Sequence, residues 1–142
     1  MELPKSGTVY ETSTTYYWYK EGIVHIIVKK TSGVSLNERQ NQLEEFKERM
    51  DGKKICAVID ISNSTPTSRA NREYHSNELP KIFKAIAFVS TTALGKMLAN
   101  LYIGIKPHPF PAKVFSNEEE AHEWIKQFSS DEFNEWPKKK TA

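Results

Sequence analysis

A single α/β domain is the fold this sequence predicts: a mixed, mainly parallel five-stranded sheet with an N-terminal antiparallel hairpin and about four helices. Three observations carry that expectation. Short apolar runs alternate along the chain with longer segments of helical period. Two of those runs are apolar on both faces, as strands covered on both sides must be. The first two β-rich segments are separated only by Lys20, Glu21 and Gly22, a hairpin connection. The 142 residues leave room for one domain of ordinary size. Folding at this length buries roughly 70% of the unfolded surface, so a core forms without disulfides or a structural metal. With 38% hydrophobic and 27% charged residues, the composition is too apolar for disorder and too interrupted by charge for a membrane span.

The elements follow in order. Thr14 to Lys20 and Ile23 to Lys29 are the hairpin arms, and in the second arm Val24, Ile26 and Val28 share one face while Ile23, His25 and Ile27 share the other. Thr31 to Val34 reads as a turn. Ser35 with Glu38 forms a capping box, after which Leu36, Leu43, Phe46 and Met50 make one apolar stripe on a charged helix, and Gly52 stands where a left-handed cap belongs. Lys54 to Ile61 is an interior strand. A hydroxyl-rich loop, Ser62 to Ser68, leads into a more polar helix from Arg69 to Glu78, ended by Pro80. Ala85 to Ser90 is the fourth strand, and Thr91 or Thr92 caps the third helix. There Leu94, Met97, Leu98, Leu101, Tyr102 and Ile105 fit the helical template so fully that this helix should be the most deeply packed. The proline-rich stretch Lys106 to Pro111 is a stiff linker into Ala112 to Phe115, the last strand. Ser116 with Glu119 then repeats the capping box, and Ala121, Trp124, Ile125 and Phe128 stripe the last helix. Ser130 to Trp136 adds at most a turn of helix. The domain is thus expected over residues 10–129, with a polar segment 1–9 before it and a C-terminal extension 130–142 carrying Lys138, Lys139 and Lys140.

Several function classes lose their basis. Net charge is +2, too small to point to nucleic acid, and the lysine run reads as a solvated tail. Met1 to Thr15 holds no apolar run, so neither leader nor anchor, no stable membrane insertion and a cytoplasmic location are expected. The single Cys56 lies in an apolar strand and reads as a buried core residue. His25, His75, His108 and His122 are scattered, none with a His or Cys partner three or four residues away, so no metal is expected and His25 reads as a satisfied sheet residue. Neither a glycine-rich phosphate cradle nor a GxSxG elbow occurs. The acidic groups Glu44 with Glu45 and Glu118 to Glu120 read as helix-start or solubilising charges. A non-enzymatic domain without cofactors is the expectation.

Two places invite a binding role. Asp60, Ser62, Ser64, Thr65, Thr67 and Ser68 sit at the carboxyl end of a strand, where open α/β sheets meet ligands and partners. Structurally they satisfy loop amides and cap the next helix; functionally, a hydroxyl beside a helix N-terminus is a favourable position for a phosphate. The second place is apolar: Trp18, Phe88, Leu98 and Tyr102 are candidates to border a pocket for an apolar molecule such as a lipid. A second copy could pair along the hairpin edge.

The hairpin around Thr14, Thr15, Tyr16, Tyr17 and Trp18, the strand Val58, Ile59, Asp60 entering the serine-rich loop and its helix, and the ending Pro109 to Ser116 before Glu118 to Ala121 and Trp124 together resemble bacterial STAS-like, SpoIIAA-like proteins. The resemblance runs from about Tyr10 to Phe128. It implies a sheet with packed helices in the manner of anti-sigma-factor antagonists and lipid-carrying CRAL-TRIO-like domains. In regulatory members a phosphorylatable Ser or Thr opens the helix after the third strand, usually in an Asp-Ser-Ser/Thr-Gly setting. Here the loop is longer and has no glycine after a hydroxyl, and Ser68 is the nearest positional match. The function implied is a regulatory or protein-interaction module that docks an unidentified protein partner through this loop, with carriage of an apolar small molecule as the alternative.

Overall fold

In the computed structural model, which describes residues 1–30, 35–104 and 108–129, strands β1 (Tyr10–Glu11), β2 (Thr15–Lys20), β3 (Ile23–Val28), β4 (Ile55–Asp60), β5 (Phe83–Val89) and β6 (Ala112–Phe115) form one sheet in chain order. β1, β2 and β3 pair antiparallel, and β3 to β6 run parallel. The five strands expected from the sequence become six. β1 is only two residues long, too short to show a period; it is held by Tyr10 stacking on Tyr17 at 5.0 Å, with the Arg49 guanidinium 4.7 Å from the Tyr10 ring. The β2–β3 hairpin closes through Glu21 and Gly22, both at positive φ (53° and 75°), as a two-residue hairpin turn demands.

Each parallel step moves one strand in the same direction, and crossovers keep one hand, so the three crossover helices belong on one face. Leu43, Phe46 and Met50 of α1 (Leu36–Met50), Leu79 and Ile82 of α2 (Arg69–Ile82), and Ala99, Tyr102 and Ile103 of α3 (Ala93–Ile103) all pack with Ile55, Ala57, Ile59, Ile86 and Phe88. The opposite face is covered by α4 (Glu118–Ile125), whose Ala121 and Ile125 meet Cys56, Val58, Ala85, Ala87 and Val89. β4 and β5 are therefore apolar on both sides, as the sequence indicated for β4. Cys56 is buried, and burial pushes its thiol up to about 11, which keeps it unreactive.

Helix ends follow capping chemistry with small corrections. Ser35, Ser68 and Thr92 each accept a bond from the backbone amide three residues on. At α4 the cap is Asn117, which accepts from the Glu120 amide at 2.9 Å, and not Ser116. Asp51 itself takes the left-handed position after α1, and Gly52 follows it at φ 77°. α2 runs through Pro80 to Ile82, because the proline forfeits one backbone bond while the buried Ile82 and the packed Leu79 hold the last turn on the sheet. The fourth expected strand starts earlier, at Phe83.

The largest correction concerns α3. Leu94, Met97 and Leu101 are 40%, 50% and 65% exposed. The helix turns its small residues inward: Gly95 and Ala99 are buried, which lets the backbone sit close to the sheet beside the packed Tyr102 and Ile103 and leaves Leu94, Met97 and Leu101 outside. Ile105, Lys106 and Pro107, the turn Thr31 to Val34, and Ser130 to Ala142 with the expected helical turn and lysine run lie outside the described residues.

Candidate functional site

The loop after β4 starts from Asp60, which is 5% exposed. Its Oδ1 accepts the Ser62 amide at 2.8 Å and its Oδ2 accepts the Met1 ammonium at 2.6 Å. Burial pushes the Asp60 carboxyl up, but these bonds outweigh it and hold the group below its ordinary value. Ser62 ties the loop to the start of α3: its Oγ accepts the Thr91 amide at 2.9 Å, and its carbonyl accepts the Thr92 hydroxyl at 3.1 Å. Further on, Thr67 Oγ1 accepts from the Asn71 side chain at 2.9 Å and its carbonyl from Arg72 at 2.6 Å, while Ser68 caps α2. Ser64 is half-buried, and Thr65 and Ser68 are exposed. Four of the six loop candidates, Asp60, Ser62, Thr67 and Ser68, thus carry structural bonds. The geometry also places the uncharged stripe Leu94, Met97 and Leu101 on the helix that Ser62 grips.

On the α4 face lies a cluster that no sequence motif indicates. His25, fully buried on β3, has Nδ1 3.1 Å from Glu118 Oε1, a close contact without the alignment of a full hydrogen bond. Its Nε2 is 3.2 Å from His122 Nδ1, and His122 Nε2 is 2.9 Å from Glu21 Oε2. Trp18 stacks on His25 at 5.7 Å. Burial lowers the pKa of His25, with Glu118 opposing, and the contact with His25 holds Glu118 low. His25 is thus more than a satisfied sheet residue, and Glu118 more than a cap charge. The two histidines are 97 residues apart, so local spacing could not join them; the only hint was a histidine on a strand otherwise apolar on both faces. His75 lies apart on α2, pushed down to about 4 by burial and by Arg39. Among the described residues no group of three or more His, Cys, Asp or Glu side chains could hold a metal ion, and no helix is long and apolar enough to cross a membrane.

A family model described as a domain of unknown function, DUF7793, matches residues 17–129. The chain belongs to the DUF7793 family. No curated protein matches it. Among solved structures it is similar to an uncharacterised protein of the DUF3478 family from Shewanella loihica PV-4, described as having a SpoIIAA-like fold: TM-score 0.56, 16% identity, 88% of this chain and 98% of that chain covered. This DUF7793 domain therefore has the SpoIIAA-like fold expected from the sequence.

The DUF7793 sheet separates the apolar-ligand candidates. Trp18 faces α4 with His25, whereas Phe88 and Tyr102 meet at 5.9 Å on the opposite face and Leu98 is half-buried on α3. They do not line one pocket, because neighbours across a strand point to opposite sides. A surface depression of about 150 Å³ lies elsewhere, lined by Lys47, Met50, Gly52, Lys53, Lys81 and Ile82 at the ends of α1 and α2.

Asp60 supplies a direct test of the loop's anchoring. Asp60→Ala is expected to lower stability at neutral pH by about 1.5–3 kcal/mol, the range for bonds to a charged group. Its folded pKa lies below the unfolded value of about 3.9, so the contribution is complete above that pH and vanishes as pH falls through the folded value. Urea titrations of both proteins should therefore show a gap at pH 7 that narrows at about pH 3; a gap independent of pH would place the effect in packing rather than in the ionised carboxylate.

Proposed function

We propose that this domain is a non-enzymatic regulatory or protein-interaction module of STAS type, which docks a protein partner through the loop Ser62 to Ser68, the start of α2 and the adjoining outer face of α3. The observation that carries this reading is the exposure of Leu94, Met97 and Leu101 beside a hydroxyl-rich loop that bonds directly to the same helix start. An apolar centre with a polar rim is the usual anatomy of a protein interface, and contiguous exposed apolar side chains on a small domain call for a partner. Ser68 adds a control point: it is exposed at the N-terminus of α2, where the helix dipole favours a negative charge such as a phosphate.

The experiment is affinity capture from the source cells with the wild-type chain, Ser68→Asp and the double variant Met97→Glu/Leu101→Glu. A single protein retained by wild type, weakened at least about tenfold by the double variant (about 1.4 kcal/mol), and altered in affinity by Ser68→Asp is the expected result. Capture of nothing, or binding indifferent to both variants, would end this reading.

A further inference from the structure

His25 and His122 tie the hairpin to α4 through three contacts in a row: Glu118 to His25, His25 to His122, and His122 to Glu21. Each contact is favourable when one proton lies in it. Two neutral imidazoles carry only two ring protons, so one contact must set a nitrogen lone pair against a carboxylate or against the other lone pair. Three protons fill all three contacts. Four would force N–H against N–H across 3.2 Å.

We propose that this histidine pair is a pH-sensitive latch, closed on the sheet when the two rings share one proton taken from solvent and loosened when that proton leaves. In the closed state the charge sits on His122, whose side chain is 10% exposed, and not on the fully buried His25. His122 then donates Nδ1–H to His25 Nε2 and Nε2–H to Glu21, while neutral His25 directs Nδ1–H toward Glu118. The depression of the His25 pKa by burial agrees with a ring that stays neutral there.

The surrounding charges come from each packed element. Glu21 in the hairpin turn and Glu118 at the start of α4 favour the added proton. Lys20 at the end of β2 opposes it. Lys126, after α4, stands 3.8 Å from the same Glu21 oxygen and competes for it, and the Met1 ammonium acts on Glu118. Trp18 covers one face of His25. Glu21 adopts a left-handed conformation, at φ 53°, that glycine or asparagine would take more readily, in a turn that brings its carboxylate to His122.

The test is imidazole NMR of the isotope-labelled full chain between about pH 5 and 9, with amide-exchange protection factors measured alongside. The ring signals of His25 and His122 should move with one shared midpoint, and protection of Glu118–Ile125 should fall about tenfold or more as pH rises through it. His122→Gln, which cannot take up the proton, should make that protection independent of pH. Glu21→Gln, in the exposed turn, removes an anion facing His122 and should lower the midpoint. Independent titration of the two rings, flat α4 protection in the wild type, or an unmoved midpoint in Glu21→Gln would overturn the latch; the last measurement decides even if His122→Gln fails to fold.

Discussion

Gly95→Ala is expected to destabilise the domain by about 1–3 kcal/mol, the cost of overpacking a filled site. The sign is the reverse of the ordinary one, since alanine in place of glycine inside an unconstrained helix gains roughly 0.5–1 kcal/mol. A Cβ on Gly95 would stand 2.3 Å from Ser90 Oγ, 2.9 Å from the Ile61 carbonyl oxygen and 3.0 Å from Thr92 Oγ1. Ser90 is fully buried, and its hydroxyl donates to the Thr92 carbonyl at 2.9 Å. The Ile61 oxygen is backbone in a segment whose amide bonds to Val89 at 2.9 Å. None of these atoms has free room to retreat, so the first turn of α3 must lift from the ends of β4 and β5. That displacement pulls on the Thr91 and Thr92 bonds to Ser62, which links the stability effect to the loop proposed for partner docking. Thermal melts should show a fall of several degrees, at roughly 2–4 °C per kcal/mol for a chain of this size. An unchanged or raised melting temperature would mean that α3 does not approach the sheet this closely.

The same glycine explains what the sequence conveys and what it does not. β4 was legible because a strand buried on both faces has no polar alternation, and Ile55 to Ile59 reads that way without any knowledge of partners. The caps Ser35, Ser68 and Thr92 were legible because capping is a contact across three residues. The direction in which α3 faces was not. Its apolar template marks the face that carries the exposed Leu94, Met97 and Leu101, whereas the inward side is chosen by Gly95 and Ala99, whose value lies in their smallness rather than in hydrophobicity. β1 depends on cross-strand stacking of Tyr10 on Tyr17, and the histidine pair depends on α4 folding back over β3. Both are consequences of topology, and no local spacing encodes them. For the site, the loop's position at a strand end was readable from element order, whereas the apolar stripe beside it was visible only once the helix had been turned.

Ile125→Ala and Leu101→Ala should differ sharply, although the two residues hold equivalent places in their helical patterns. Ile125 is fully buried on α4 against Ala85, Ala87 and Val58, small neighbours that cannot move in to fill a void. Its truncation should cost about 2–5 kcal/mol, the range for large-to-alanine changes in a core, and because α4 is only eight residues long the loss falls on few remaining anchors. Leu101, at 65% exposure, should change stability by no more than about 0.5 kcal/mol. Chemical denaturation of both variants separates the two cases, and a cost at Leu101 comparable to that at Ile125 would mean that α3 packs through its Leu94, Met97 and Leu101 face after all. If the small effect at Leu101 is observed while partner capture is lost in the Met97→Glu/Leu101→Glu variant, the stripe cannot be explained by folding. Its leucines and methionine would then act where the domain meets another protein, since the fold gains almost nothing from them.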